Sequence, residues 1–302
     1  MLDELQELYT KFPPNKWSWI VSWSGGKDSS FLLLKTIEFA EAMGFEIKVV
    51  HHDSMVEYPQ SYQVVDSGIE WLKSKRIKVI LTRPEEGFFT CMIRRGYHFP
   101  KWNAIWCTSL LKLKPVTKLF LNLSLKENIL NLIAIRGDEV LRQRDFLQEE
   151  TTRYVMKGVM NVQVTSPLAR TNIKQVWDGL MSYSNIPWVK KLLKLYPFPH
   201  SRTGCWTCTV AKEKTLQFLD YELYEIKLQL VEARCKSTRE FVELVKYYAK
   251  KRPDAFREDL SWLDPNANYP EVDCWKKCEK CYYTLWRKTA KKVKNWIKVC
   301  LV

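Results

Sequence analysis

Apolar positions in the first third of the chain fall into short continuous runs separated by stretches of helical spacing. Residues 17–23 bring Trp17, Trp19, Ile20, Val21 and Trp23 together, an aromatic and β-branched run of strand length. After residues 24–30, the positions Phe31, Leu34, Ile37 and Ala40 recur at helical spacing through residue 43, and Gly44 stands as a C-cap. Residues 45–52 predict a second strand, 61–75 a second helix and 77–82 a third strand. That order belongs to a parallel sheet with right-handed crossovers. A helix at 115–122, strands at 129–135 and 162–164, and a helix at 171–183 continue it, whereas the proline-punctuated stretch 185–204 reads as loop. Past about residue 215 the spacing turns helical, most clearly over 216–234 and 238–250, with breaks at Arg252-Pro253 and Asp264-Pro265-Asn266. The expected architecture is therefore α/β, a doubly wound parallel sheet over residues 1–215 followed by a helical, cysteine-containing region over 216–302.

Residues 1–12 alternate Leu2, Leu5 and Leu8 with Asp3, Glu4 and Glu7, the pattern of an amphipathic helix and not of a basic signal peptide. No apolar run approaches the roughly 18 residues of a membrane helix. A cytoplasmic protein with no membrane partner is the expectation. With 302 residues, 46% of them apolar, the chain can bury a large core.

The turn after the first predicted strand carries the chemistry. In Ser24-Gly25-Gly26-Lys27-Asp28-Ser29, a glycine pair between strand and helix lets backbone amides point outward, and the helix start adds positive potential. Ser24 and Ser29 supply hydroxyls and Lys27 a full charge; Asp28 suits such an anion socket only if it holds Mg2+ or orients a water. The spacing is not that of Walker A, which places four residues before its Gly-Lys pair.

These six residues match the PP-loop of the ATP pyrophosphatase superfamily, whose members cleave ATP between the α and β phosphates. Further stretches resemble the phosphoadenosine-phosphosulfate (PAPS) reductase branch of that superfamily, with its adenine nucleotide alpha hydrolase-like fold. Asp53-Ser54-Met55-Val56-Glu57-Tyr58-Pro59 is similar to the branch's Asp-Thr-Gly-x-Glu-x-Pro, with Ser54-Met55 in place of Thr-Gly. Cys107 followed by Lys112 and Pro115 resembles its Cys-x-x-x-x-Lys-x-x-Pro stretch. Arg136-Gly137-Asp138-Glu139 with Arg142 resembles its arginine segment, although Val140 replaces a serine, and Pro167-Leu168 through Val176-Trp177 follows in family order. Ser201-Arg202-Thr203-Gly204-Cys205-Trp206-Thr207-Cys208 is very similar to the cysteine motif of DndC-type DNA-phosphorothioation sulfurtransferases. The resemblance implies ATP and Mg2+ as ligands. It implies nucleotide contacts from Ser24, Gly25, Gly26, Lys27, Asp28, Ser29, Asp53, Arg136 and Arg142, and catalytic roles for Lys27, Asp28 and Cys107.

Nine cysteines in a reducing compartment point to metal or redox chemistry more than to disulfides. Cys205-x-x-Cys208 alone reads as zinc ligands, a redox dithiol or iron–sulfur ligands. In iron–sulfur members of the branch, a [4Fe-4S] cluster takes a cysteine pair at the first place and Cys-x-x-Cys at the second; here the first place is Trp106-Cys107, so the matching ligands are Cys107, Cys205 and Cys208. Three ligands leave one iron open for a hydrosulfide, unless Cys91 or Cys235 closes the site. Cys274, Cys278 and Cys281 form a second group, suited to zinc or a second cluster, alone with Cys300 or Cys235 or together with Cys205 and Cys208.

A net charge of +14 fits a polyanionic partner, or simply a lysine-rich surface. From residue 274 to the end, nine Lys/Arg face one acid and alternate with aromatics, which suits base stacking or one amphipathic helix. The resemblance thus implies an ATP-dependent sulfurtransferase that adenylates DNA or tRNA and is fed by a cysteine desulfurase or another sulfur donor. An adenylylsulfate or PAPS reductase is the alternative, against which stands the absence of a Glu-Cys-Gly-Leu motif. A non-catalytic nucleotide- and nucleic-acid-binding module is the third.

Overall fold

Five strands, β1 (Trp17–Ser22), β2 (Ile47–His52), β3 (Lys78–Thr82), β4 (Asn128–Leu132) and β5 (Val162–Thr165), pair in parallel in the order β3-β2-β1-β4-β5. They belong to a computed structural model that describes residues 1–100, 105–138, 161–209 and 213–272. Trp19 sits opposite Ile47 on one side and Leu130 on the other, so the first strand of the chain is the central one. Chain direction across the sheet reverses beside β1. The turn that leaves β1 therefore opens into the crevice at a topological switch point, where such sheets bind ligands.

Alternation divides each central strand between two cores. Trp19, Val21, Val49, Leu130 and Leu132 enter the larger cluster, while Ile20, Val50 and Ile129 enter a smaller one. Burial on both faces explains why the strands read as continuous apolar runs and not as alternating ones. Helix α5 (Lys114–Ser124) roofs the smaller core with Phe120, flanked by Val116, Leu119 and Leu123. Helices α1 (Leu2–Lys11), α2 (Lys27–Met43), α3 (Pro59–Ser74) and α4 (Phe88–Arg94) contribute to the larger.

Three differences from the sequence pattern have local causes. The stretch expected as loop over 185–204 contains a helix after α6 (Ile173–Ser182), namely α7 (Pro187–Lys194), because Pro187 occupies the first helical turn and starts the helix. Trp188 of α7 is buried against Trp23, ring centroids 5.5 Å apart. The single helix expected over 216–234 is two, α8 (Glu213–Leu219) and α9 (Tyr221–Lys236), because the Asp220 carboxylate accepts the Leu223 amide at 2.9 Å and caps a new start. A π-helix at Thr108–Leu113 runs directly into α5 where a 3.6-residue spacing has no reason to show it.

The helices beyond residue 215, α8, α9 and α10 (Thr238–Lys251), bury Leu223, Leu230, Phe241 and Val245 in the same cluster as Phe89 and Trp206. Trp206, immediately after Cys205, is fully buried and donates its indole N–H to the Ala255 carbonyl at 3.0 Å. Among the described residues no helix is long and apolar enough to cross a membrane.

Candidate nucleotide and thiol site

The turn between β1 and α2 is built by its own small residues. Gly25 takes a left-handed φ of 77°, and a Cβ there would lie 2.5 Å from a Val65 methyl. Gly26 is extended and precedes Lys27, the first residue of α2. The Ser29 hydroxyl accepts the Ser24 amide at 3.1 Å and lies 2.9 Å from the Ser24 hydroxyl, which ties the turn shut. Both serine hydroxyls, expected to face phosphate, are thus engaged within the loop.

Around the turn lies a cavity of about 440 Å³ lined by residues 24–29 together with Glu57, Lys112, Ile135, Tyr196 and Thr203 among others. Lys27 is almost fully buried, which lowers its ammonium below the ordinary lysine range, against the opposing pull of Asp28. Its ammonium donates to the Ser201 carbonyl at 2.8 Å and stands 3.5 Å from Asp28. Asp28, read as a Mg2+ or water holder, also pairs with the guanidinium of Arg136, which is 7% exposed and bonded at 2.7 Å to Asp138. Arg136 therefore meets the β1–α2 turn through Asp28.

Asp53 ends up elsewhere than a lining position. Its carboxylate accepts the Met55 amide at 2.8 Å and the Tyr62 hydroxyl at 3.1 Å, and pairs with Arg83 at 3.0 Å. It holds the β2–α3 turn, and through that turn it places Glu57 in the cavity wall. Arg142, Cys274, Cys278 and Cys281, together with the basic, aromatic stretch around the last three, lie outside the described residues.

The Cys205 segment is stitched to that same turn. Residues 57 and 205 form an antiparallel bridge, and the Trp206 amide donates to the Val56 carbonyl at 3.0 Å. The Cys205 thiol lies 3.4 Å from a Glu57 carboxylate oxygen and 3.4 Å from the Ser54 hydroxyl, which itself donates to Glu57 at 2.7 Å. The fully buried Lys227 donates to the Cys208 carbonyl at 2.7 Å. Burial, and then Glu57, pushes the Cys205 thiol up to about 12. Burial likewise raises the Cys107 thiol, with Cys208 as its strongest charged neighbour. Lys112 is raised by the charge of Cys205 first and also by that of Glu57, Cys107 and Cys208.

That donor set bears on what it can hold. Among the described residues no three of His, Cys, Asp and Glu come close enough for one metal ion. Soft thiols suit a thiolate-bound polynuclear centre, whose negative charge Lys112 would offset. Cys91 is not part of this set as placed. It is buried in the wall of a second cavity of about 490 Å³ and directs its thiol toward Glu86. Cys235 lies on α9 beside Arg234. Glu57 and Lys112 stand inside the quoted motifs yet were not expected in the site; Tyr196 has no sequence signal at all.

No curated protein matches the sequence. Among solved structures, the chain is similar to the U34-tRNA thiolase NcsA from Methanococcus maripaludis with its [4Fe-4S] cluster, at 12% identity over 91% of this chain and 82% of that one. The TM-score of 0.41 is too low to bear on substrate or cofactor. The profile of the phosphoadenosine phosphosulfate reductase domain matches residues 18–211, a span that begins in β1, takes in the phosphate loop and ends just past Cys208. By that match, over well more than half its length, the chain belongs to the phosphoadenosine phosphosulfate reductase domain family.

Proposed function

We propose that the chain is an ATP-dependent sulfurtransferase of DndC-like type, which adenylates a nucleic-acid acceptor and replaces the adenylate with sulfur. The observation that carries this reading is the shared cavity. Glu57, Lys112 and Gly204, which adjoin the thiols, line the same 440 Å³ space as the phosphate loop. An activated acceptor formed at the loop would need to travel little to meet sulfur.

In this reading an acceptor oxygen attacks the α-phosphorus of ATP, and the bond to the β-phosphate bridging oxygen breaks. The loop amides and Lys27 stabilise the charge that builds on the departing pyrophosphate. Asp28 is the residue that would hold Mg2+, whose positive charge would ease departure of the pyrophosphate. Arg136 fixes Asp28 beside Lys27 and keeps the ammonium directed into the loop. A [4Fe-4S] cluster held by Cys107, Cys205 and Cys208 would supply a binding point for the incoming sulfur. Glu57 and Ser54 orient the Cys205 thiol, and Lys112 offsets thiolate charge. A cysteine desulfurase or similar donor would deliver sulfur in the cytosol, where thiols stay reduced. Residues 1–215 would form the nucleotide-binding unit, and the basic region beyond would engage DNA or tRNA.

PAPS reduction is the second reading, favoured by the family match alone. The test is pyrophosphate release from ATP by anaerobically purified protein with Mg2+ and DNA or tRNA. Activation by nucleic acid, and a loss of about 100-fold or more in Lys27→Ala, are expected, with iron and sulfide contents that fall when Cys107, Cys205 or Cys208 is replaced by Ala. Sulfite release from PAPS without ATP cleavage would select the reductase instead.

A further inference from the structure

A backbone amide donates one strong hydrogen bond, and the first amide of α2 already makes one. The Lys27 N–H donates to the Tyr196 hydroxyl at 2.9 Å. That hydroxyl lies 3.2 Å from the Thr203 hydroxyl and 3.4 Å from where a Cβ of Gly26 would be, so it rests on the floor of the turn. The Lys27 ammonium is committed to the same segment, through the Ser201 carbonyl at 2.8 Å and the Tyr196 ring, whose centroid is 4.9 Å away. A phosphate oxygen using this amide and this ammonium must displace both contacts.

The segment that would move is short and leads to the thiols. From Tyr196 it passes Ser201 and Thr203, reaches Cys205, and is pinned at Trp206 by the Val56 carbonyl. Trp177 touches it midway, donating to the Pro199 carbonyl at 3.1 Å with its ring 5.4 Å from that of Tyr196.

We propose that the Tyr196 hydroxyl, backed by Thr203, is an internal stand-in for a nucleotide phosphate oxygen, and that its displacement by a bound nucleotide is passed along residues 196–205 to the Cys205 thiol. Tyr196 is in this sense a positioning residue, acting through Lys27 on one side and Cys205 on the other. The proposal rests on the reading of the loop as an ATP site. It implies that the thiol site receives a different setting when ATP is loaded, so sulfur handling is tied to activation of the acceptor.

The experiment measures binding of α,β-methylene-ATP with Mg2+ to the full chain by calorimetry, for wild type, Tyr196→Phe and Thr203→Val. Tyr196→Phe keeps the ring over Lys27 and removes only the competing oxygen. It is expected to bind about 2- to 10-fold tighter, the equivalent of one net hydrogen bond, and Thr203→Val is expected to shift in the same direction by less. In protein labelled with 5-fluorotryptophan, the resonances of Trp177 and Trp206, each assigned by its Trp→Phe variant, should both move on nucleotide addition in wild type. The Trp177 shift should shrink in Tyr196→Phe. Wild type that binds while Tyr196→Phe binds equally or more weakly overturns the stand-in role and leaves the ATP site standing. A Trp177 shift without one at Trp206 overturns the relay to Cys205. Failure of all three proteins to bind takes down the ATP reading and the proposal together.

Discussion

Met55 illustrates how single residues at this site are held against their own preferences. It sits at φ 63°, the left-handed region, at the position where the family carries Gly. The Asp53 carboxylate takes its amide, and its carbonyl accepts the Arg257 amide at 3.3 Å, while the Arg257 guanidinium lies over the Tyr62 ring. The conformation persists because its surroundings fix it from several sides. His52, three residues earlier at the end of β2, shows another local cost. Neither ring nitrogen has a hydrogen-bond partner of ordinary geometry, the Leu111 backbone being its polar neighbour, and burial lowers its pKa to about 4. Since the folded state resists protonating this ring and the unfolded chain does not, the unfolded state binds more protons between about pH 6.5 and 4. Stability should therefore be full above the unfolded value and decline as pH falls through that window, by on the order of 3 kcal/mol from this group. Urea midpoints against pH, compared between wild type and His52→Leu, check this; parallel curves would refute it.

At the level of elements, the ends of helices decide what the site looks like. Gly26 opens α2 so that its first amides face the cavity, and Asp220 divides α8 from α9 so that Lys227 comes round to the Cys208 carbonyl. The end of α3 is less well suited to its sequence. Arg76 follows the C-cap Lys75 at φ 61°, donates its amide to the Lys73 carbonyl at 2.9 Å and is exposed, so its side chain gains little there. Arg76→Gly is expected to stabilise the protein by about 0.5–1 kcal/mol, the left-handed penalty less the added freedom of the unfolded chain. A urea midpoint that stays put or falls would show that the conformation is not strained.

For the molecule as a whole, charge is the property that reaches furthest. A net +14 is compatible with a well-solvated surface, and only a measurement of counterion release distinguishes that from a nucleic-acid face. If three or more phosphates of a DNA duplex are contacted, the dissociation constant should rise roughly 40-fold between about 50 and 200 mM salt. A flat salt profile from fluorescence anisotropy would return the charge to the solvated surface.

The strand–helix alternation, the glycine turn after β1 and the order of motifs down to Cys208 were legible in the sequence, because each depends on neighbours a few residues away. Periodicity of buried strands and the conformational freedom of Gly25 are local properties, and they were enough for the sheet and the glycine turn. Tertiary structure alone decided who meets whom across long separations. It turned Asp53 to hold a turn, put Arg136 on Asp28, set Lys112 in the wall of the same cavity as the β1–α2 turn and laid the Tyr196 hydroxyl on the Lys27 amide. Such pairings follow from how packed helices bring distant segments to one sheet edge, and no spacing along the chain encodes them.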